Sequence, residues 1–294
     1  MQAQTPAYQG YYINLDRSEE RRKRIEDGLA RFSLSGLYRR FPAVEGRSLP
    51  KGQSPLSPGQ LGCFHSHVLA LKEAQSRGLH AHILEDDAIL SEHTEPVIID
   101  AIQGRLFDHF DIVFTDILAS CELAVLKGMK EAFDKTSRAA HRPLKLSDFQ
   151  ILDLSRMHFT CLTSYIVGVR SMDRILALYR QELAMGPRAP VDIFIRDQVH
   201  AGKLKAGCIF PFVTGFRLEE ISGSTIEERS ENPVKPSVMV FAALRYSFFL
   251  GRDLSYAKRE MDAATKHGRS PADPHRELIV QAVDYAISPD YEGF

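Results

Sequence analysis

Three consecutive acids, Glu85, Asp86 and Asp87, directly follow the apolar-rich run His80-Ala81-His82-Ile83-Leu84. If that run is a strand of an open, largely parallel sheet, the acids stand at its carboxyl edge, where such sheets bind ligands. Adjacent negative charges raise one another's pKa unless cations compensate. Carboxylate oxygens are hard ligands that suit Mg2+ or Mn2+, ions that commonly bridge carboxylates to phosphate oxygens. A metal so placed would stabilise the charge that grows on a departing diphosphate. The plainer reading of the same residues is an acidic turn in solvent. His65 and His67 also invite a metal reading. Two helical residues two apart point in different directions, so no zinc site shared by this pair is expected.

These groups need a frame. Residues 9–15 contain the run Tyr11-Tyr12-Ile13 and read as a buried strand. Asp16 lies three residues before Glu19, a capping-box spacing. The helix that follows should reach about Phe32, with Ile25, Leu29 and Phe32 on its buried face and Arg21-Arg22-Lys23-Arg24 on its solvated one. Residues 38–44 read as a second strand and 49–58, rich in Pro, Ser and Gly, as a loop. Ser57-Pro58-Gly59-Gln60 is a helix start with a capping box and Pro at the first position. Leu61, Phe64, Val68 and Leu71 then form one stripe, and Gly78 can close the helix in the left-handed conformation.

Further strands are predicted at 80–84, 112–115, 159–169 and 208–210, with helices after 172, marked by Met172, Ile175, Leu176 and Tyr179, and over 191–201. Strands alternating with helices over 9–210 predict an α/β fold with a largely parallel sheet. From about Glu227 the character changes, and 235–290 reads as helical. In that tail, Val238-Met239-Val240-Phe241 and Tyr246-Ser247-Phe248-Phe249-Leu250 are interleaved with Arg245, Arg252, Lys258 and Arg259. Packing against the rest of the chain or a dimer contact accounts for this pattern. A second reading lays the tail on a membrane surface near a lipid-linked acceptor.

The bulk properties exclude several classes. The chain has 294 residues, 44% of them hydrophobic, and a net charge of −1. That suffices for a substantial core and offers no electrostatic footprint for nucleic acid. The N-terminal residues have no basic start and no apolar stretch of a secretory signal, and no apolar run is long enough to span a bilayer. The four cysteines, Cys63, Cys121, Cys161 and Cys208, form no C-x-x-C pair and suit reduced thiols. A cytoplasmic setting is expected, with peripheral contact at the inner face of the membrane if the tail serves that purpose.

Four stretches, taken in order, resemble glycosyltransferase family 25, which includes lipooligosaccharide and collagen galactosyltransferases. Ile13-Asn14-Leu15-Asp16-Arg17-Ser18 with Arg21-Arg22 is similar to the family's N-terminal Asn-Leu-Asp-Arg segment. Phe41-Pro42-Ala43-Val44-Glu45-Gly46 resembles its "F-x-A-V-D-G" turn, with Glu45 in place of Asp. Leu56-Ser57-Pro58-Gly59-Gln60-Leu61-Gly62-Cys63 through Ser66-His67 resembles its "L-S-x-G-E-x-G-C-x-x-S-H" helix start. Ile83-Leu84-Glu85-Asp86-Asp87-Ala88 resembles its "L-E-D-D" core. Weaker matches are Tyr165-Ile166-Val167, where Cys161-Leu162 replaces the family's Gly-Thr, then Pro190-Val191-Asp192 and Ser222-Gly223-Ser224-Thr225-Ile226. The likeness covers about residues 9–226.

The resemblance implies a GT-A-type, Rossmann-like α/β domain over 1–226, with a helical extension over 227–294. It implies inverting transfer from a UDP-sugar, usually UDP-galactose, with a divalent cation, Mn2+ or Mg2+. The acceptor would be a hydroxyl of a glycan or lipid-linked glycan. Asp87 would ligate the metal, and Glu85 or Asp86 would face the ribose or the metal. Asn14, Leu15 and Asp16 would seat uracil and ribose, while Arg21 and His67 would approach the donor. Inversion by direct displacement needs a base opposite the leaving group. Asp192 is the first candidate and Asp116, at the end of a predicted strand, the second. Each also has an ordinary use: Asp192 as an acid favoured by a helix dipole, Asp116 as a turn residue. Tyr165 reads as core. Two other classes compete: a non-catalytic sugar-nucleotide or glycan-binding protein, to which the loss of Gly-Thr lends weight, and a metal-dependent phosphohydrolase, for which no further ligand set is evident.

Overall fold

All seven residues of Tyr8–Asn14 (β1) are buried, which a strand achieves only when both of its faces are covered. Tyr11 and Ile13 point into a core shared with Phe64, Val68 and Leu71 of the helix Pro58–Gln75 (α2). Tyr8 and Tyr12 point the other way, toward Ile25 and Leu29 of the helix Glu19–Arg31 (α1). The computed structural model describes residues 8–50, 54–120, 122–217, 236–253, 255 and 282–288. The Ser222–Ile226 motif, Cys121, Lys258 and Arg259 lie outside these.

The remaining strands are Tyr38–Pro42 (β2), His80–Glu85 (β3), Ala88–Leu90 (β4), Ile112–Ser120 (β5), Gln150–Asp153 (β6), His158–Val167 (β7), Ala206–Phe210 (β8) and Thr214–Phe216 (β9). The remaining helices are Thr94–Gln103 (α3), Leu123–Ala139 (α4), Met172–Met185 (α5), Val191–His200 (α6) and Pro236–Ser247 (α7). Seven strands form one sheet in the order β2-β1-β3-β7-β5-β8-β6, and β4 pairs with β9 in a small second sheet. The α/β class is as expected. The sheet is mixed: β1–β2, β1–β3 and β5–β8 are parallel, whereas β7 runs against both β3 and β5, and β6 against β8. The parallel block β2-β1-β3 opens its carboxyl ends to one edge, and the acidic residues lie there.

Several local expectations hold. Ser57 caps α2 by accepting from the Gln60 backbone N–H at 3.2 Å, and the Gln60 side chain accepts from the Ser57 N–H at 3.0 Å. Gly78 has φ +65. Met172, Ile175, Leu176 and Tyr179 form the buried face of α5. Asp16 is a correction. The cap of α1 is Ser18, without a side-chain bond, and Asp16 turns outward to pair with Arg40 at 2.5 Å. The chain makes an extra turn first, in which Ser18 N–H donates to the Leu15 carbonyl, so the spacing to Glu19 no longer counts from the helix start. The second strand also ends at Pro42 rather than at 44.

Two motif glycines act through close backbone approach. A Cβ on Gly46 would lie 1.6 Å from the Pro58 carbonyl oxygen, and one on Gly62 would lie 2.5 Å from that of Val44. The turn after β2 is therefore pressed onto the first turns of α2. Ser66 secures it: its hydroxyl accepts from Val44 N–H at 2.8 Å and donates to the Gly62 carbonyl at 2.6 Å. This contact sets the rotation of α2 and the direction of the next residue, His67.

The tail joins the main core. Leu244, Tyr246, Phe248 and Phe249 are buried, with Leu244 and Phe248 set among residues of β5, β8 and α4, so these side chains do not form an outward apolar face. Arg252 lies 4.2 Å from the centre of the Phe133 ring. No helix among the described residues is long and apolar enough to cross a membrane.

A string of buried polar groups crosses the sheet. Tyr38 Oη meets His82 Nδ1 at 2.5 Å, His82 Nε2 meets Ser164 Oγ at 2.9 Å, and Ser164 meets Thr115, which meets Thr214 at 2.9 Å. Burial lowers the His82 pKa from the ordinary 6.5 to about 3. Between these values the unfolded chain binds a proton that the folded chain refuses, so stability falls as the pH is lowered through this window. Urea unfolding of the wild type should lose stability with a slope approaching about 1.4 kcal/mol per pH unit from this residue. His82→Gln should show a flatter acid limb; an identical limb would assign the acid sensitivity elsewhere.

Candidate active site

The three acids at the end of β3 diverge. Glu85 is the last strand residue, and Asp86 and Asp87 form the turn into β4. Each takes a different partner, because residues that follow one another at a strand end point to different sides. Asp86 faces β1 and α1. Its Oδ2 accepts from Asn14 Nδ2 at 2.7 Å and its Oδ1 from Arg21 Nη1 at 3.0 Å. Asn14, itself buried, accepts from Arg40 Nε at 3.1 Å through its side-chain oxygen. Burial pushes the Asp86 carboxyl up, against the pull of Asn14 and Arg21.

Glu85 faces α2. Its Oε1 lies 3.2 Å from His67 Nε2 and 3.8 Å from Cys63 Sγ. His67 Nδ1 is 2.9 Å from the Tyr165 hydroxyl, and the two rings stack. Tyr165 is thus a core residue that also orients the imidazole. Burial acts to raise the Glu85 pKa, but the hydrogen bond and charge of His67, with Arg245 and Arg21, outweigh it and hold the carboxyl below its usual range.

Asp87 is the unsatisfied member. Its Oδ1 is buried and has no hydrogen-bond partner among the described residues. Burial first, and then the charge of Glu85, push its carboxyl up to about 7, with Arg245 opposing. A buried carboxylate oxygen without a donor costs about 1–3 kcal/mol or more unless a cation or proton meets it. A hard divalent ion fits this donor, and Asp87 is the side chain that would hold it.

Asp116 and Asp192 come to the same region from β5 and α6. Both Asp116 oxygens are taken: Arg245 Nε donates to Oδ1 at 2.6 Å and Nη2 donates to Oδ2. Both groups are buried. Burial disfavours the guanidinium charge, yet Asp116 more than offsets this and holds the Arg245 pKa above its usual value. The guanidinium also lies 4.2 Å from the centre of the Phe216 ring on β9. Asp192, in the first turn of α6, accepts from Cys161 N–H at 3.1 Å and from its neighbour Ile193 N–H at 2.9 Å. Cys161 has φ +76. It sits where the β5–β7 register shifts, between the pairs Asp116–Ser164 and Leu118–Thr160. Such irregularities bend a strand and re-aim its side chains, often beside active sites.

The other expected donor residues are peripheral to this cluster. Leu15 is half-buried and Asp16 exposed, both just beyond the carboxyl end of β1. Sequence reasoning did not find Cys63, Cys161, Arg40 or Arg245. One local signal existed: Cys161 stands where the family's pattern has glycine, and a left-handed φ is what glycine accepts freely. Arg245 had none, since its partner Asp116 is 129 residues away.

A family model described as Glycosyltransferase family 25 (LPS biosynthesis protein) matches residues 8–195, well over half of the chain. The chain belongs to glycosyltransferase family 25. None of the curated proteins matches it. The family match spans Asn14, Arg21, the α2 motif, the acids after β3 and Asp192. Arg245, from α7, lies beyond the matched residues.

The strain at Cys161 is testable. Holding a non-glycine residue in the left-handed region costs about 1–2 kcal/mol, part of which glycine gives back through unfolded-state entropy. Cys161→Gly should leave stability unchanged or raise it by up to about 1 kcal/mol, whereas β-branched Cys161→Val should lower it by about 2 kcal/mol. Chemical denaturation of both variants measures this, and equal stabilities would remove the strain.

Proposed function

We propose that this family 25 enzyme transfers a hexose, with galactose the leading expectation, from a UDP-sugar to a glycan or lipid-linked glycan hydroxyl, by inversion and with Mn2+ or Mg2+. The observation that carries the reading is Asp87 Oδ1, a buried acceptor without a donor beside two acids that already have theirs. A divalent ion bound there would neutralise the leaving diphosphate. The chain's own residues would do the rest. Asn14 and Arg21 hold Asp86 at the carboxyl ends of β1 and β3, a ledge suited to uracil and ribose alongside Leu15 and Asp16. His67, tethered by Tyr165, holds Glu85 in place. Arg245 adds a fixed positive charge whose field reaches Asp87 and Glu85, and which favours a phosphate-bearing ligand.

Of the two base candidates, Asp192 is the better placed. Burial raises the Asp116 carboxyl against the pull of Arg245, but both of its oxygens are engaged in the buried bidentate pair and it is fully enclosed, so it is poorly disposed to reach an acceptor hydroxyl. Asp192 is half-buried, and each of its oxygens keeps a lone pair beyond the one used by a backbone N–H.

UDP should raise the melting temperature more with Mn2+ than without it, and more than CDP or GDP does, since only ligands of the folded state stabilise it. Asp87→Asn should lose most sugar transfer and the Mn2+-dependent part of this shift. Its ligand-free stability above about pH 7 should be equal or higher, because the substitution removes a buried charge. Full activity of the variant without added metal would overturn the metal role.

The base has its own test. The side-chain oxygen of Asn can still accept from Cys161 N–H but takes no proton. Asp192→Asn should therefore slow transfer by about 10²-fold or more with UDP affinity nearly unchanged, whereas Asp192→Ala should also lose about 1 kcal/mol of stability. Normal turnover by Asp192→Asn would make the residue an anchor for the Cys161 turn and not the base.

A further inference from the structure

Cys63, His67 and Glu85 bring three different ligand atoms to one point. Sγ, an imidazole nitrogen and a carboxylate oxygen all lie within 4.8 Å of one another. Cys63 and His67 are four apart on α2, so they share one face of the helix. Glu85 reaches the same point from the end of β3. A tetrahedral zinc ion with ordinary bond lengths would separate its nitrogen and oxygen ligands by about 3.4 Å and its sulfur and oxygen ligands by about 3.6 Å. The structure holds His67 Nε2 and Glu85 Oε1 3.2 Å apart, and Cys63 Sγ and Glu85 Oε1 3.8 Å apart. These two pairs are within a few tenths of an ångström of those values; the sulfur and the imidazole nitrogen, within 4.8 Å of each other, would draw together toward about 3.6 Å as the ion binds.

We propose that Cys63, His67 and Glu85 form a three-ligand site for Zn2+, separate in its ligand chemistry from the hard-ion position at Asp87. A thiolate and an imidazole favour zinc over Mn2+ or Mg2+, which seek oxygen. The outer support is present. The Tyr165 hydroxyl, 2.9 Å from His67 Nδ1, fixes the ring as outer partners of zinc-bound histidines do. Binding writes as an exchange: Zn2+ takes the Cys63 sulfur as thiolate, whose proton leaves to solvent, and displaces the proton that His67 Nε2 directs at Glu85. That proton moves to Nδ1 in a neutral ring or leaves to solvent from a protonated one, so that His67 binds through the Nε2 lone pair with a proton on Nδ1, directed at Tyr165. Water fills the fourth position. Glu85 is the shared element, because an oxygen committed to zinc is withdrawn from the acidic cluster beside Asp87. Zinc occupancy is thus a means of switching that cluster.

The experiment uses the full chain, stripped of metal with a chelator, and titrates Co2+ and then Zn2+. Wild type should bind one Co2+ with the near-ultraviolet thiolate-to-cobalt band and the intense visible bands of a tetrahedral ion, and Zn2+ should abolish both. Cys63→Ser should lose the thiolate band and Cys161→Ser should keep it. Tyr165→Phe should keep the band but weaken zinc binding by about 10-fold or more, the usual cost of losing an outer partner. On the unaltered protein, Zn2+ should protect Cys63 from alkylation in a mapped digest and leave Cys161 unprotected, which needs no variant to fold. An octahedral cobalt spectrum, a band that survives Cys63→Ser, or a Cys63 alkylated equally with and without zinc would overturn the site. None of these readouts depends on sugar transfer, so the site and the proposed reaction fail or stand separately.

Discussion

Holding three adjacent carboxylates at the half-buried end of one strand is the constraint on which this structure turns. Charges removed from water must be met by donors or counter-charges. The fold meets them from three directions: Asn14 and Arg21 for Asp86, His67 for Glu85, and the field of Arg245 for Asp87. Each source comes from a different element, so β1, α1, α2 and α7 are all positioned by the same cluster. Only Asp87 is left short, which makes it the point where a ligand would gain most.

The motifs of the family acquire mechanical meaning here. Gly46 and Gly62 allow two backbones to approach more closely than any side chain permits, and Ser66 locks the contact. Neither glycine touches the acids. They set the rotation of α2, and that rotation aims His67 and Cys63 at Glu85. A similar logic governs β7, where the register shift turns Cys161 into a left-handed conformation that the Asp192 carboxylate holds. Strain of this kind persists only where surrounding structure over-determines it, and it clusters at functional sites.

Arg245 and Asp116 tie the tail to the sheet. Removing one partner of such a buried pair typically costs about 3–5 kcal/mol, because it strands the other charge. The pair therefore makes α7 part of the unit that contains the acids, together with Phe248 and Phe249, which fill the core beside β8. Among the described tail residues, Leu244, Tyr246, Phe248 and Phe249 are spent on this packing.

The local elements were legible because they are short-range. The all-buried strand at β1, the capping box at Ser57, the α5 stripe and the position of the acids directly after β3 follow from spacing and period alone. The α/β class and the glycosyltransferase family followed from the same residues. The antiparallel course of β7 and β6, the short strands β4 and β9 and the helices α3 and α4 were not read, since pairing direction is set by neighbours distant in sequence. Asp16 misled for a local reason: a capping spacing says nothing of an intervening turn. Which acid found which partner was decided only in three dimensions, because Asn14, His67 and Arg245 are brought to one strand end from separations of 72, 18 and over 100 residues. Charge in a sequence is a list of signs; its energy depends on distance and burial, and those exist only once the chain has folded.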